Sequence, residues 1–526
     1  MKKFSCSIIF VCISATVLAQ DDASKFAATI SSQDLRKHLT VIASDEFEGR
    51  ETGTEGQRKA GAYIEAQFKA IGLQPAPVIN GYQQLYPLHK DSMSSSDFKV
   101  KGKSLIYGKD YIGSAALNEA GSFKGKKLVF IGYGINDTSY NDYEGIDVKG
   151  KIVIFLLGEP RKDGVYLANG KKRSSQWSFP GLSRKLAAAR RLGAAGALVI
   201  NPAQDSFSLR NIEMSIKTGV NFTSVPATEK PLNFVIVSHQ TARTFLGAQV
   251  DTLVKQAKDM TPINTRSFKT DNATVSYNYN EVRTIIDASN VVGLVEGSDK
   301  KDEYLFLTAH YDHLGKRNGK IYYGADDDGS GTCAVIEMAE AFAQAKAAGK
   351  GPRRTVVFMT VSGEEKGLWG SEYYSDHPFI ALDKTTANLN TDMVGRIDTE
   401  RKTSDSLNYI YVIGHDKLSS DLPVINEGMN KKYSNLVFDY KYDDPADQNR
   451  IYYRSDHYNF ARKGVPILFF YDGMLKSDYH QPTDTVDKIY WELYEKRVRM
   501  IFHTAWEIAN RDEMLKRDIP LQEGTR

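Results

Sequence analysis

Apolar and polar positions follow different rhythms in different parts of the chain. Between residues 31 and 73 apolar residues return every three or four positions: Leu35, Leu39 and Ile42, then Ala60, Ile64, Phe68 and Ile71. A polar, Gly-rich stretch, Glu48-Gly49-Arg50-Glu51-Thr52-Gly53, separates the two runs. That spacing predicts helices with one apolar face. From about Ser104 to Thr270 short, solid apolar runs take over. Leu128-Val129-Phe130-Ile131, Ile152-Val153-Ile154-Phe155-Leu156-Leu157 and Gly196-Ala197-Leu198-Val199-Ile200 read as buried strands, with an Ala-rich helix from Lys185 to Leu192 between them. This stretch clusters few His, Asp or Glu residues, which predicts a small α/β domain without chemistry of its own. From about Val282 onward strands and helices alternate. Strands are expected at Tyr304–Ala309, Thr355–Val361, Ala387–Asn390 and Val465–Phe470, and helices at Gly331–Ala348 and Val486–Asn510. Such alternation predicts a mostly parallel sheet flanked by helices on both faces. No internal repeat is present.

The first residues stand apart from this plan. Lys2 and Lys3 precede the apolar run Ile8-Ile9-Phe10-Val11-Cys12-Ile13, and Val17-Leu18-Ala19 precedes the polar Gln20-Asp21-Asp22. Residues 1–19 are therefore expected to be a secretory signal cleaved after Ala19, which exports the chain to the periplasm or the medium. The run is too short to span a bilayer. Cys6 and Cys12 leave with it, so only Cys333 remains and the mature chain has no internal disulfide. The 526 residues allow two or three domains, and 41% apolar with 25% charged residues is the composition of an ordinary soluble protein. Without Lys2 and Lys3 the net charge of +3 falls to about +1, so nothing suggests nucleic-acid binding. No later segment is apolar and long enough to cross a membrane.

Candidate chemistry gathers at strand ends. His310 follows the strand ending at Ala309, Glu364 and Glu365 follow the one ending at Val361, and Asp392 follows Leu389-Asn390. His480 lies in the loop beyond Phe470, and Asp327 in the loop that opens the helix at Gly331. The carboxyl ends of parallel strands share one rim, where ligands bind. Imidazole and carboxylate suit zinc, and two His with three carboxylates are too many for one tetrahedral ion with an open position. They suit two zincs sharing a carboxylate. Two Zn²⁺ against Asp327, Glu365, Asp392 and a hydroxide come to neutral. Of the pair Glu364-Glu365, one is expected to ligate and the other to move a proton. Asp312 is placed to orient the His310 ring through its far nitrogen. Asp328 is expected to cap the following helix. His313, just past His310, is the residue that could compete with it as a ligand but is ranked below it; His457 is read as packing rather than cleft lining, and Cys333 as inert. The tyrosines at 440, 442, 452, 453 and 458 suit a specificity pocket or loop packing equally.

Taken together and in order, Thr308-Ala309-His310-Tyr311-Asp312, Gly324-Ala325-Asp326-Asp327-Asp328-Gly329-Ser330-Gly331, Gly363-Glu364-Glu365-Lys366-Gly367-Leu368, Asn390-Thr391-Asp392-Met393 and Tyr479-His480-Gln481-Pro482-Thr483-Asp484-Thr485 resemble the M28 family of zinc metallopeptidases. The resemblance covers most of residues 30–100 and 283–510, a discontinuous catalytic domain. It implies that His310, Asp327 and Asp392 hold one zinc and that Asp327, Glu365 and His480 hold the other. Glu364 would be the general base and acid, Tyr479 the oxyanion donor, and the substrate amine would lie near Asp392. Residues 104–270 resemble a protease-associated domain through Val148-Lys149-Gly150-Lys151-Ile152-Val153 and the stretch from Ala188 to Ala197. The implied function is a secreted dinuclear zinc aminopeptidase acting on peptides with a free N-terminus. Carboxypeptidases and dipeptidases of similar architecture are the alternative, with Arg396, Arg450 and Arg454 available to read a carboxylate. A binding module without activity, or cyclisation of N-terminal glutamine on a single zinc, fits the full ligand set less well.

Overall fold

The computed structural model describes residues 21–178, 181–222, 232–271, 273–404 and 407–521. The expected secretory signal lies outside them. The chain divides into two compact units: Met1–Tyr86 with Asp287–Arg526, and Pro87–Ile286.

The first unit is built on a mixed sheet. Its strands are β1 (Val275–Val295, of which the C-terminal part lies in this unit), β2 (Lys300–His310), β3 (Arg354–Val361), β4 (Thr385–Thr391), β5 (Tyr409–Ile413), β6 (Val437–Asp439) and β7 (Ile467–Tyr471). They lie side by side as β1-β3-β2-β4-β7-β5-β6. The four central strands, β3, β2, β4 and β7, are parallel, so their carboxyl ends face the same way. β1 and β5 run against them.

Strand alternation divides the side chains between two cores. Leu305, Leu307 and Ala309 of β2 join Val356 and Phe358 of β3 and Leu468 and Phe470 of β7 on one face. Phe306, Val357, Met359, Ile467 and Phe469 take the opposite face. Because successive side chains point to opposite sides, a strand covered on both faces must be apolar throughout, which is why these runs are solid rather than alternating. On the first face lie helices α1 (Ser32–Ile42), α2 (Glu55–Ile71), α3 (Gly331–Ala347) and α4 (Trp491–Asn510). α3 is buried along most of its length, from Gly331 to Ala345. Each large apolar side chain buried this way contributes about 1.5–3 kcal/mol. The helical stretch expected from 31 to 73 is interrupted by a short 3-10 turn, Asp45–Phe47, and the Gly-rich loop after it. The closing helix begins at Trp491 rather than Val486, because Val486–Lys488 forms a separate 3-10 turn.

The second unit holds a five-stranded sheet in the order Tyr111–Ile112, Phe234–Val237, Gly196–Ile200, Ile152–Leu156, Leu128–Phe130. All neighbours are parallel except the first edge strand. Ile152, Ile154 and Leu156 face one core, and Val153 and Phe155 the other. No helix among the described residues is long and apolar enough to cross a membrane.

Candidate metal centre

The rim at the carboxyl ends of the parallel strands collects the expected side chains. His310 ends β2, Glu364 and Glu365 follow β3, and Asp392 follows β4. His480 comes from the loop after β7, and Asp327 from the turn that opens α3. His310 Nε2 stands 3.4 Å from Asp327 Oδ1 and 3.5 Å from Asp392 Oδ1. His480 Nε2 stands 3.2 Å from Asp327 Oδ2 and 3.0 Å from Glu365 Oε2. The two oxygens of Asp327 thus face different imidazoles. Asp392 Oδ2 accepts a hydrogen bond from Ser455 Oγ at 2.6 Å, which leaves Oδ1 turned towards His310.

Gly363, at φ +78, turns the chain sharply before the two glutamates. A side chain there would also meet Trp369 Cβ and Tyr86 Oη at 2.9 Å. The turn sends the two carboxylates in different directions. Glu365 points at His480, whereas Glu364 Oε2 lies 3.9 Å from His310 Nε2 on the other side. Burial, reinforced by the charges of Asp392 and Glu365, raises the Glu364 carboxyl well above its usual range. Burial opposes the charge on His480, yet Asp327 and Glu365 lift its imidazole to about 10.

Asp312 acts differently from the expectation. The His310 Nδ1 contact within hydrogen-bond reach, at 3.1 Å, is to the main-chain oxygen of Asp312, while its carboxylate is 3.6 Å away. The carboxylate instead accepts from Thr52 Oγ1 at 2.6 Å and from the Glu364 N–H at 3.2 Å. It ties the turn that carries Glu364 to the loop after α1. Asp328 accepts from the Gly331 N–H at 2.8 Å and so caps α3, and it also holds the Met393 N–H at 3.0 Å. Tyr479 stacks on His480 with ring centroids 3.9 Å apart, and its hydroxyl accepts from Arg454 Nη2 at 2.9 Å. Since the hydroxyl accepts there, its own proton is free to point elsewhere.

Two residues escaped the reading of the sequence, and a third, His313, was ranked too low. His313 is fully buried, with Nδ1 2.8 Å from Glu365 Oε1 and 3.8 Å from Asp327 Oδ2. It belongs to the cluster rather than to the packing behind it. Arg50 is also fully buried and donates to four carbonyl oxygens: Tyr311, Ile42, Tyr323 and Gly324, at 2.7, 3.0, 2.7 and 2.8 Å. It pins the ends of both loops that carry His310 and Asp327. Asp484 accepts from the N–H groups of Asp326 and Asp327 at 3.1 Å. His313 is visible in the sequence as a second His beside a candidate ligand. Arg50 and Asp484 give no local signal, because their partners are distant in the chain.

The donor set fits zinc. Asp327 Oδ2, Glu365 Oε1 and both nitrogens of His313 are buried, and the close approaches among them are not aligned as hydrogen bonds. Two clusters of three donors, His310/Glu364/Asp392 and His313/Asp327/Glu365, each gather ligand atoms within 4.8 Å of one another. Buried carboxylates and imidazoles without partners are expensive unless a cation joins them.

Residues 290–505 match Peptidase family M28. This segment carries every side chain of the rim described above. The chain is similar to a probable leucine aminopeptidase of Arthroderma otae, 28% identical over 40% of this chain and 55% of that protein. It is also similar to a glutamate carboxypeptidase 2 homolog of Caenorhabditis elegans, 24% identical over 73% of this chain and 54% of that protein. The chain spans about half the length of these two relatives. Among solved structures, an aminopeptidase from Aneurinibacillus sp. strain AM-1 matches with a TM-score of 0.50 at 18% identity, covering 95% of this chain and 98% of that one. This likeness supports the fold, a central mixed sheet flanked by helices.

Proposed function

We propose that the protein is an exported aminopeptidase with two zinc ions per chain. The observation that carries this reading is the placement of Asp327, whose oxygens lie 3.4 and 3.2 Å from two different imidazoles. His310 and Asp392 would hold one ion with Asp327, and Glu365 and His480 the other. Bound zinc would supply Lewis-acid polarisation of the scissile carbonyl and a more acidic water. The chain's own groups do the rest. Glu364, raised by burial, takes a proton from the attacking water and returns it to the leaving amine. Tyr479, with its hydroxyl oxygen occupied by Arg454, directs its proton to the oxyanion. Asp312 and Gly363 hold Glu364 in position. Export rests on the basic and apolar pattern of residues 1–19, and the reading of the second unit as a protease-associated domain on the two stretches that resemble one.

A second reading, cleavage at a free C-terminus or of dipeptides, is supported by Arg454 in the same pocket. One panel separates the two. Purified protein is assayed with aminoacyl anilides, an N-blocked peptide and a C-amidated peptide, with and without chelator, beside zinc analysis. Chelator-sensitive cleavage of anilides and of the C-amidated peptide is expected, with the N-blocked peptide resistant. Cleavage of the N-blocked peptide alone overturns the aminopeptidase reading, and absence of bound zinc overturns both.

A further inference from the structure

The pocket beside the metal centre has an unusual end. Met393, Ile451, Phe469 and Leu475 give it apolar walls, and Arg454 and Tyr479 stand among them. Arg454 donates to the Tyr479 hydroxyl and lies over its ring, 5.8 Å from the centroid. No carboxylate among the described residues forms an ion pair with it. The other arginines of the region are committed. Arg396 is buried against Asp478 at 2.9 Å, and Arg497 donates to the carbonyls of Tyr409, Val394 and Arg396. Arg450 lies over the Tyr453 ring and lines a separate cavity. The two pocket carboxylates nearest in function, Glu364 and Asp392, already belong to the reacting centre.

Resting on the peptidase reading, we infer that Arg454 selects substrates carrying a carboxylate within one residue of the scissile bond, foremost an N-terminal acidic residue. The reach agrees. The oxyanion sits one hydrogen bond from Tyr479, and Tyr479 one hydrogen bond from Arg454, which puts the guanidinium within roughly 6 Å of the carbonyl oxygen. An extended glutamate side chain carries its carboxylate roughly 5 Å from its own carbonyl carbon. Apolar walls suit the methylene stem, and a guanidinium suits the planar carboxylate at its end. The α-carboxylate of a dipeptide has the same chemistry and a similar reach, so the test must tell the two sources apart.

The test compares four substrates with zinc-loaded wild type and Arg454→Met: Glu-anilide against Gln-anilide, and Gln-Ala against Gln-Ala-amide. A charge-assisted contact of this kind is expected to favour the anionic member of a pair by about 10- to 100-fold in kcat/KM. Because Arg454 also holds the Tyr479 hydroxyl, Arg454→Met is expected to slow every substrate, and the readout is the ratio within each pair: the preference for the anionic member should fall to about 1. Preference within the anilide pair assigns the side-chain carboxylate, and preference within the dipeptide pair the α-carboxylate. No preference in either pair overturns the inference. So does an equal loss of kcat on all four, which would make Arg454 only a positioning residue for Tyr479. If wild type cleaves none of them, the peptidase reading fails. Calorimetric binding of the same four compounds then decides the inference by itself: equal affinity for charged and neutral members overturns it.

Discussion

Replacing Arg50 by Met tests whether the two ligand-bearing loops are held by one buried cation. The methionine stem keeps the volume but removes every donor. The carbonyls of Ile42, Tyr311 and Tyr323 then lose this partner, while that of Gly324 keeps the Gly329 N–H at 3.2 Å. At about 1 kcal/mol for each unsatisfied acceptor the loss is about 3 kcal/mol. Removing a buried charge returns part of this, which leaves about 2 kcal/mol. Tyr311 adjoins His310, and Gly324 lies three residues before Asp327, so the freed loops also loosen the donors around zinc. Urea unfolding followed by tryptophan fluorescence, in zinc-free and zinc-loaded protein, measures both effects. Three of the four tryptophans, Trp369, Trp491 and Trp506, belong to this unit. The variant should be destabilised without zinc and destabilised further with it, because weaker binding adds less linkage stability. A change below about 1 kcal/mol with unaltered zinc affinity would refute the reasoning.

Glu364→Gln should keep both zinc ions and lower kcat by about 10²–10⁴-fold; a near-normal rate with zinc retained would remove Glu364 from proton transfer. Zinc added back to chelated protein should saturate at two ions per chain and raise stability by about 2.7 kcal/mol for each ion at a hundredfold excess over its Kd; saturation at one ion contradicts the shared role of Asp327. Burial depresses the His457 imidazole to about 3, with its Nε2 2.8 Å from the Tyr452 carbonyl oxygen. The unfolded chain takes up this proton below about 6.5 and the folded chain refuses it, so stability is full above that pH and falls as the solution is acidified. Between pH 6.5 and 5 wild type should lose about 1.6 kcal/mol more than His457→Asn in urea unfolding; parallel slopes would show that His457 is not buried in the neutral form.

The central strands were legible because double burial leaves a run of apolar residues that needs no context. Gly196–Ile200 and the body of β2 and β3 coincide with the runs read from composition. β5 and β6 were not read, since Tyr409–Ile413 carries tyrosines and Val437–Asp439 is short and partly exposed. The ligand rim was legible for a related reason: chemistry placed after a strand declares which edge it occupies. His313 was ranked below His310 because nothing in the local sequence shows which way its ring turns. Here Leu314 and Gly315 carry the chain into a small hairpin, and the ring turns back towards Glu365. The carboxylate of Asp312 was assigned to His310 from spacing alone. Its partners, Thr52 and the Glu364 N–H, lie 260 and 52 residues away and leave no local trace.

Asp484 grips the backbone of a turn 158 residues earlier, only four positions after His480. The hinge of one jaw is therefore bolted to the other. A slip of the segment from Asp478 to Asp484 would drag both together, so the spacing between Asp327 and His480 is preserved even when their distance from the sheet is not. Lengthening that segment by a single residue ought to be tolerated far worse than its position at the surface suggests.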